Sequence, residues 1–182
     1  MFERTTQAAR VAIVQAQEEA RSTGQDQIGG GHLLIALAGG TDSLAARALA
    51  ALGVSQDALR QQVLARTGVH PPDPQGHIPF SEDGRAAIRR SLQVAIGRHQ
   101  EHVSTGHLLL ALTEVSGGDA QPVLTGLGIL DQVRQETGAL LDAEPDSEGA
   151  PPSAPWMGQS RDGRQVGAGR SKGGGLFRRR RG

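Results

Sequence analysis

Small and apolar residues recur at helical spacing along the first 142 residues and then stop. Residues 6–22 (TQAARVAIVQAQEEARS) hold no Gly or Pro, and Ala9, Ala12, Ile13, Ala16 and Ala20 follow an i, i+3, i+4 stripe. That pattern predicts an amphipathic helix with a small-residue packing face. Gly24 ends it, residues 25–31 read as a turn, and the GHLLIAL run that follows is almost wholly apolar. A short helix of that composition is one enclosed by others on most sides. Thr41 is expected to cap a helix over 42–52 with Leu44, Ala45, Ala48, Leu49 and Leu52 on one face. Ser55 caps a fourth helix over 56–66, with Val54 and Leu59 at the positions of a hydrophobic staple.

A linker at 69–79 (VHPPDPQGHIP) carries four prolines and excludes regular structure. Ser81, followed by Glu82 and Asp83, then offers a cap and an acidic first turn suited to the helix dipole. Helices are predicted over 82–98, 106–115, 119–126 and 130–142, with Pro122 tolerated in a first turn. Gly84 and Gly97 are expected to weaken the helix over 82–98, at about 1 kcal/mol each relative to Ala.

The second set of helices repeats the first. IGGGHLLIAL at 28–37 and VSTGHLLLAL at 103–112 align at an offset of 75. The same offset pairs Arg10 with Arg85, Ala12 with Ala87, Ile13 with Ile88, Leu49 with Leu124, and Gly53 with Gly128. A register kept over more than forty residues indicates duplication of one structural unit. The expected architecture is all-α, two pseudo-twofold four-helix repeats with about eight helices. Repeat one covers 1–68, the linker 69–79 and repeat two 80–142, giving a double-repeat domain over 1–142.

Composition adds little until the end of the chain. The 19 basic and 19 acidic residues balance, which gives no global nucleic-acid or membrane signature. The absence of cysteine removes disulfides and thiolate chemistry. No apolar run approaches the roughly 20 residues needed to span a bilayer, and the N-terminal residues lack a signal core, so a cytoplasmic location is expected. With three Phe, one Trp and no Tyr, the core must be built from Leu, Ile, Val and Ala. Residues 143–182 are rich in Gly, Pro, Ser and Arg, with eight Lys/Arg against four acids, net +4. Such a segment is expected to be a disordered tail.

Candidate chemistry is sparse. His32 and His107 open the two apolar helices at matched places, so duplication explains them better than a shared metal or general base. His99 and His102 are three apart, but no further ligand cluster accompanies them. The triplet Gly29–Gly31 lacks the G-x-G-x-x-G spacing and a preceding strand, and so reads as a turn. No G-x-x-x-x-G-K-[ST] loop occurs anywhere in the chain. Arg178–Arg181 would neutralise few phosphates, which makes nucleic-acid binding weak and salt-sensitive. Pro155-Trp156-Met157 is the one apolar spot of the tail.

The duplicated (I/V)-x-x-x-H-L-L-x-A-L string, the Leu-Gly pairs closing the third helices, QEEAR at 17–21 and GHIPFS at 76–81 resemble the Clp N-terminal domain of ClpC- and ClpA-type unfoldases. The resemblance covers about residues 1–142. It implies a non-catalytic module that receives peptides, unfolded segments, degrons or adaptors for a Clp protease. The missing ATPase motif suggests a stand-alone ClpC-like protein that modulates Clp-dependent proteolysis, either by competing for ligands or by sequestering cyclic peptides. No cofactor, metal or catalytic residue is implied.

In the ClpC branch the string typically reads G-T-E-H, and the glutamate helps hold a phosphorylated arginine. Gly31 and Gly106 stand in those places here, so phosphoarginine recognition is not expected. Phe2 and Phe80, with Arg85, match positions that line a cyclic-peptide surface in actinobacterial relatives, and they are the expected peptide-binding residues. Thr5 replaces a further Phe that the family often has. Phe2 and Phe80 also have a second reading, as seals of the junction between repeats. The alternative function is nucleic-acid or membrane association through the basic tail.

Overall fold

The computed structural model describes residues 4–68, 77–145 and 147–149. The chain divides into two units, Met1–Pro152 and Ser153–Gly182, and all the described residues belong to the first. Eight helices follow one another among the described residues: α1 (Gln7–Ser22), α2 (Gly30–Ala38), α3 (Leu44–Ala51), α4 (Gln56–Thr67), α5 (Glu82–Gly97), α6 (Thr105–Glu114), α7 (Ala120–Gly126) and α8 (Leu130–Ala143). There is no strand among the described residues, only two isolated bridges.

Local sequence explains most of the helix boundaries. Thr6, Ser55 and Ser81 cap α1, α4 and α5, their hydroxyls accepting from the amides of Ala9, Ala58 and Gly84. The buried face of α1 is the predicted stripe, Ala9, Ala12, Ile13, Ala16 and Ala20. Pro122 lies in the first turn of α7, as expected.

Most helix ends fall within one residue of the sequence reading, and two of the differences have a visible cause. α3 is capped by Ser43 rather than Thr41, because Asp42 takes a left-handed conformation (φ 55°) that no helix can include. α2 begins at Gly30, inside the expected turn, because its first amide finds an acceptor. Gly30 N donates to Asp83 Oδ2 at 2.7 Å.

The centre of the domain is the repeated string itself. α2 packs against α1, α3, α4, α5, α6 and α7, while α6 packs against α1, α2, α3, α5, α7 and α8. Leu33, Leu34, Ile35 and Leu37 of α2 and Leu108, Leu109 and Leu112 of α6 are almost completely buried. That enclosure is why both segments are apolar on every side.

The two repeats are stitched by reciprocal backbone pairing. Thr6 N donates to Val103 O (2.9 Å) and Val103 N to Arg4 O (2.6 Å). At the positions 75 residues on, Ser81 N donates to Ile28 O (3.1 Å) and Ile28 N to Pro79 O (2.8 Å). Each repeat thus pairs the residues before its first helix with the turn of the other repeat. This exchange is the pseudo-twofold relation in hydrogen bonds.

Gly84 has a role opposite to the one its helix propensity suggests. A Cβ at this position would lie 2.4 Å from the carbonyl oxygen of Ile28, in the middle of that stitching. A side chain cannot be accommodated there without separating the repeats. Gly97 meets nothing within 4 Å and remains an ordinary weak helix residue.

Candidate functional site

The two repeat histidines are structural. His32 Nδ1 accepts from Gly29 N, and His107 Nδ1 from Ser104 N, both at 3.0 Å. Each imidazole therefore satisfies an amide just before its own helix, the task a Glu or Gln performs in a capping box. Burial drives the His107 pKa down to about 4, and Arg98 adds to the shift. His32 is also lowered by burial, against opposing attraction from Asp119, Glu19 and Asp83. Neutral, helix-capping imidazoles are the result. His99 sits in a left-handed turn just past α5 (φ 57°), so His99 and His102 do not share a helix face.

The two glycines before the histidines are closely packed. A Cβ on Gly31 would come within 2.8 Å of Val63 Cγ1, and one on Gly106 within 3.0 Å of Leu141 Cγ. Val63 in α4 and Leu141 in α8 are fully buried. The fourth helix of each repeat has thus closed over the place where a carboxylate side chain would begin.

Among the expected peptide-binding residues, Phe2 lies outside the described residues. Phe80 is half-buried, paired through its backbone with Ile28 and packed against the core. Arg85 is exposed, one turn into α5, and its guanidinium donates to the Phe80 carbonyl oxygen. Phe80 and Arg85 are therefore brought together. Thr5, at the place equivalent to Phe80 in the other repeat, is buried in the Val103 bridge.

A groove of about 450 Å³ opens between α1 and α5, lined by residues that include Arg4, Thr5, Ile13, Ile88, Arg89 and Leu92. Its apolar wall continues along α5, where Ile88, Leu92 and Ile96 follow at four-residue spacing and Ile96 is 56% exposed. Arg85, Arg89 and Leu92 likewise fall on one side of the helix. Leu92 and Ile96 escaped the sequence reading, although an apolar i, i+4 pair on the solvent side of a capped helix was a usable signal.

Comparison with known proteins identifies the family of the chain. The profile of the Clp repeat (R) N-terminal domain matches residues 4–89 and 79–161. The negative regulator of genetic competence ClpC/MecB of Bacillus subtilis (strain 168) is 32% identical over 142 residues, which is 78% of this chain and 17% of that relative. The N-terminal domain of ClpD from Arabidopsis thaliana superposes with a TM-score of 0.66 at 23% identity, covering 78% of this chain and 97% of that domain. A ClpV N-domain solved in complex with a VipB peptide superposes with a TM-score of 0.59 at 14% identity, covering 81% of this chain and 89% of that one. At these identities the two structures attest the fold alone. With both halves of the chain matched in tandem, the protein belongs to the Clp repeat (R) N-terminal domain family.

Proposed function

We propose that this domain binds apolar peptide segments, degrons or adaptors on the face formed by α1, α5 and the Phe80 junction. In this reading it is non-catalytic and modulates Clp-dependent proteolysis by competing for such ligands or by sequestering cyclic peptides. The observation that carries the reading is the apolar groove between the first helices of the two repeats, with Leu92 and Ile96 left exposed beside it. Exposed apolar side chains grouped at a groove mark a partner site more often than chance scatter does. Arg85 and Arg89 beside that wall supply donors for a peptide carbonyl or carboxylate.

The matched stretch spans only 17% of the ClpC relative's length, so partnership with an unfoldase and a cytoplasmic location belong to the same proposal. No described helix is long and apolar enough to cross a membrane.

The double substitution Phe2→Ala with Phe80→Ala is expected to lower the affinity for a fluorescently labelled unfolded casein by tenfold or more, about 1.4 kcal/mol. Helical circular dichroism should be unchanged. Equal affinity in the double variant would remove these residues from the site. Deleting residues 150–182 separates this reading from attachment through the basic tail. Casein binding should survive the deletion, and any salt-dependent binding to heparin should go with the tail.

A further inference from the structure

Asp83 and Glu148 do the same thing in the two halves of the domain, and only one of them is part of the repeat. In one half, Gly30 N at the start of α2 donates to Asp83 Oδ2 at 2.7 Å, and the Ser81 hydroxyl, the α5 cap, donates to Asp83 Oδ1. The carboxylate lies against Gly118, just ahead of α7, where a Cβ would overlap it.

The other half contains the equivalent residues, since Thr6 corresponds to Ser81 and Thr105 to Gly30 at the offset of 75. It has no equivalent carboxylate, because the place of Asp83 is taken by Ala8. The gap is filled from beyond α8. Thr105 N donates to Glu148 Oε2 at 2.8 Å, Leu44 N to Oε1 at 2.9 Å, and the Thr6 hydroxyl to Oε2 at 3.0 Å. The Thr105 hydroxyl is a fourth donor to the same group.

We propose that this is a carboxylate-binding seat that the chain fills with its own Glu148, making that side chain a latch across the two repeats. Three observations carry the assignment independently. The seat draws donors from α1 and α3 of repeat one and α6 of repeat two, so the carboxylate bridges units that no covalent link joins at that place. Thr6 and Thr105 are 3% and 1% exposed, so their hydroxyls are committed to the interior and are satisfied there by Glu148. Its counterpart in the other half is closed permanently by a helix residue, whereas Glu148 arrives on a short segment after α8.

That segment has a second anchor. Arg47 of α3 holds Glu144 in a two-pronged pair, both contacts at 2.7 Å. A groove of about 270 Å³ shares Thr105 with the seat and runs past Ser43, Ala8 and Val11. Opening the latch therefore exposes a buried cluster of donors at the end of a groove, and a carboxylate on another chain is the group that fits them.

The latch has a signature that an ordinary helix start lacks. The first amides of a helix have no intrahelical acceptor and normally exchange quickly with solvent. In the full chain, Leu44 and Thr105 amides should exchange roughly tenfold or more slowly than unstructured amides, as Gly30 should through Asp83. Glu148→Ala should remove that protection at Leu44 and Thr105 and leave Gly30 unchanged. Added acetate should move the Leu44 and Thr105 amide resonances of the variant back toward their wild-type positions, while sodium chloride at equal ionic strength should not. Fast exchange of Leu44 and Thr105 in the wild-type chain would overturn the latch, even were the variant to fold poorly. Equal effects of acetate and chloride would overturn the carboxylate seat.

Discussion

Alanine at Gly84 is expected to lower the unfolding free energy by about 1–3 kcal/mol, the usual cost of forcing a methyl group into a filled space. Helix propensity alone gives the opposite sign, a gain of about 1 kcal/mol. The reversal follows from the Ile28 carbonyl oxygen, which would lie 2.4 Å from the new Cβ. That oxygen already accepts from Ser81 N at 3.1 Å. Displacing it breaks that hydrogen bond and opens one of the two junctions between repeats. Gly97→Ala, in open space at the end of the same helix, should raise stability by about 0.5–1 kcal/mol. Urea unfolding of the two single variants against the parent checks both signs at once.

The second large effect is a loss of stability in mild acid, centred on His107. Its folded pKa of about 4 lies below the ordinary histidine value of 6.5. Between those values the unfolded chain binds a proton that the folded chain does not, so stability falls as pH drops from 6.5 toward 4. The shift corresponds to about 3 kcal/mol when the window is crossed completely. That is a large part of the roughly 5–15 kcal/mol that holds an ordinary domain folded. His32 is lowered for the same reason and adds to the effect in the same direction.

His107→Gln converts Ser104-Thr105-Gly106-His107 into the ordinary Ser-x-x-Gln capping box, keeping an acceptor for Ser104 N while removing the titration. Urea midpoints at about pH 7 and about pH 4.5 should differ less in this variant than in the parent, and least in the double variant with His32→Gln. An equal drop in parent and double variant would transfer the acid sensitivity to the carboxylates.

These two cases mark how far the sequence could be read. The offset of 75 and the apolar stripes carried the fold, because helix periodicity and duplication are properties of the chain itself. The α1 face emerged residue for residue, and Ser55 and Ser81 as caps needed only their neighbours. Gly84 reads only as a weak helix residue because the atom that requires it belongs to the other repeat, 56 residues away. Thr41 reads as the α3 cap because Asp42 gives no local sign of its left-handed turn.

The candidate site was less legible. Phe80 and Arg85 are neighbours as expected, but Leu92 and Ile96 became visible only once the groove beside them was located. Glu148 could not have been found from sequence. One of three acids in AEPDSEGAPP has no periodicity to mark it, and its partners Thr6, Leu44 and Thr105 come from three separate helices. At Gly31 and Gly106, where the resemblance leads one to expect carboxylates, Val63 and Leu141 fill the space in which a side chain would begin.

The most direct test of peptide binding on the α1–α5 face is a residue-by-residue amide shift map of the full chain titrated with unfolded casein. Saturable shifts grouped at Thr5, Phe80, Arg85, Ile88 and Leu92 are the expected result. Saturable binding with shifts confined to α4 and α8, or no binding at all, would contradict it.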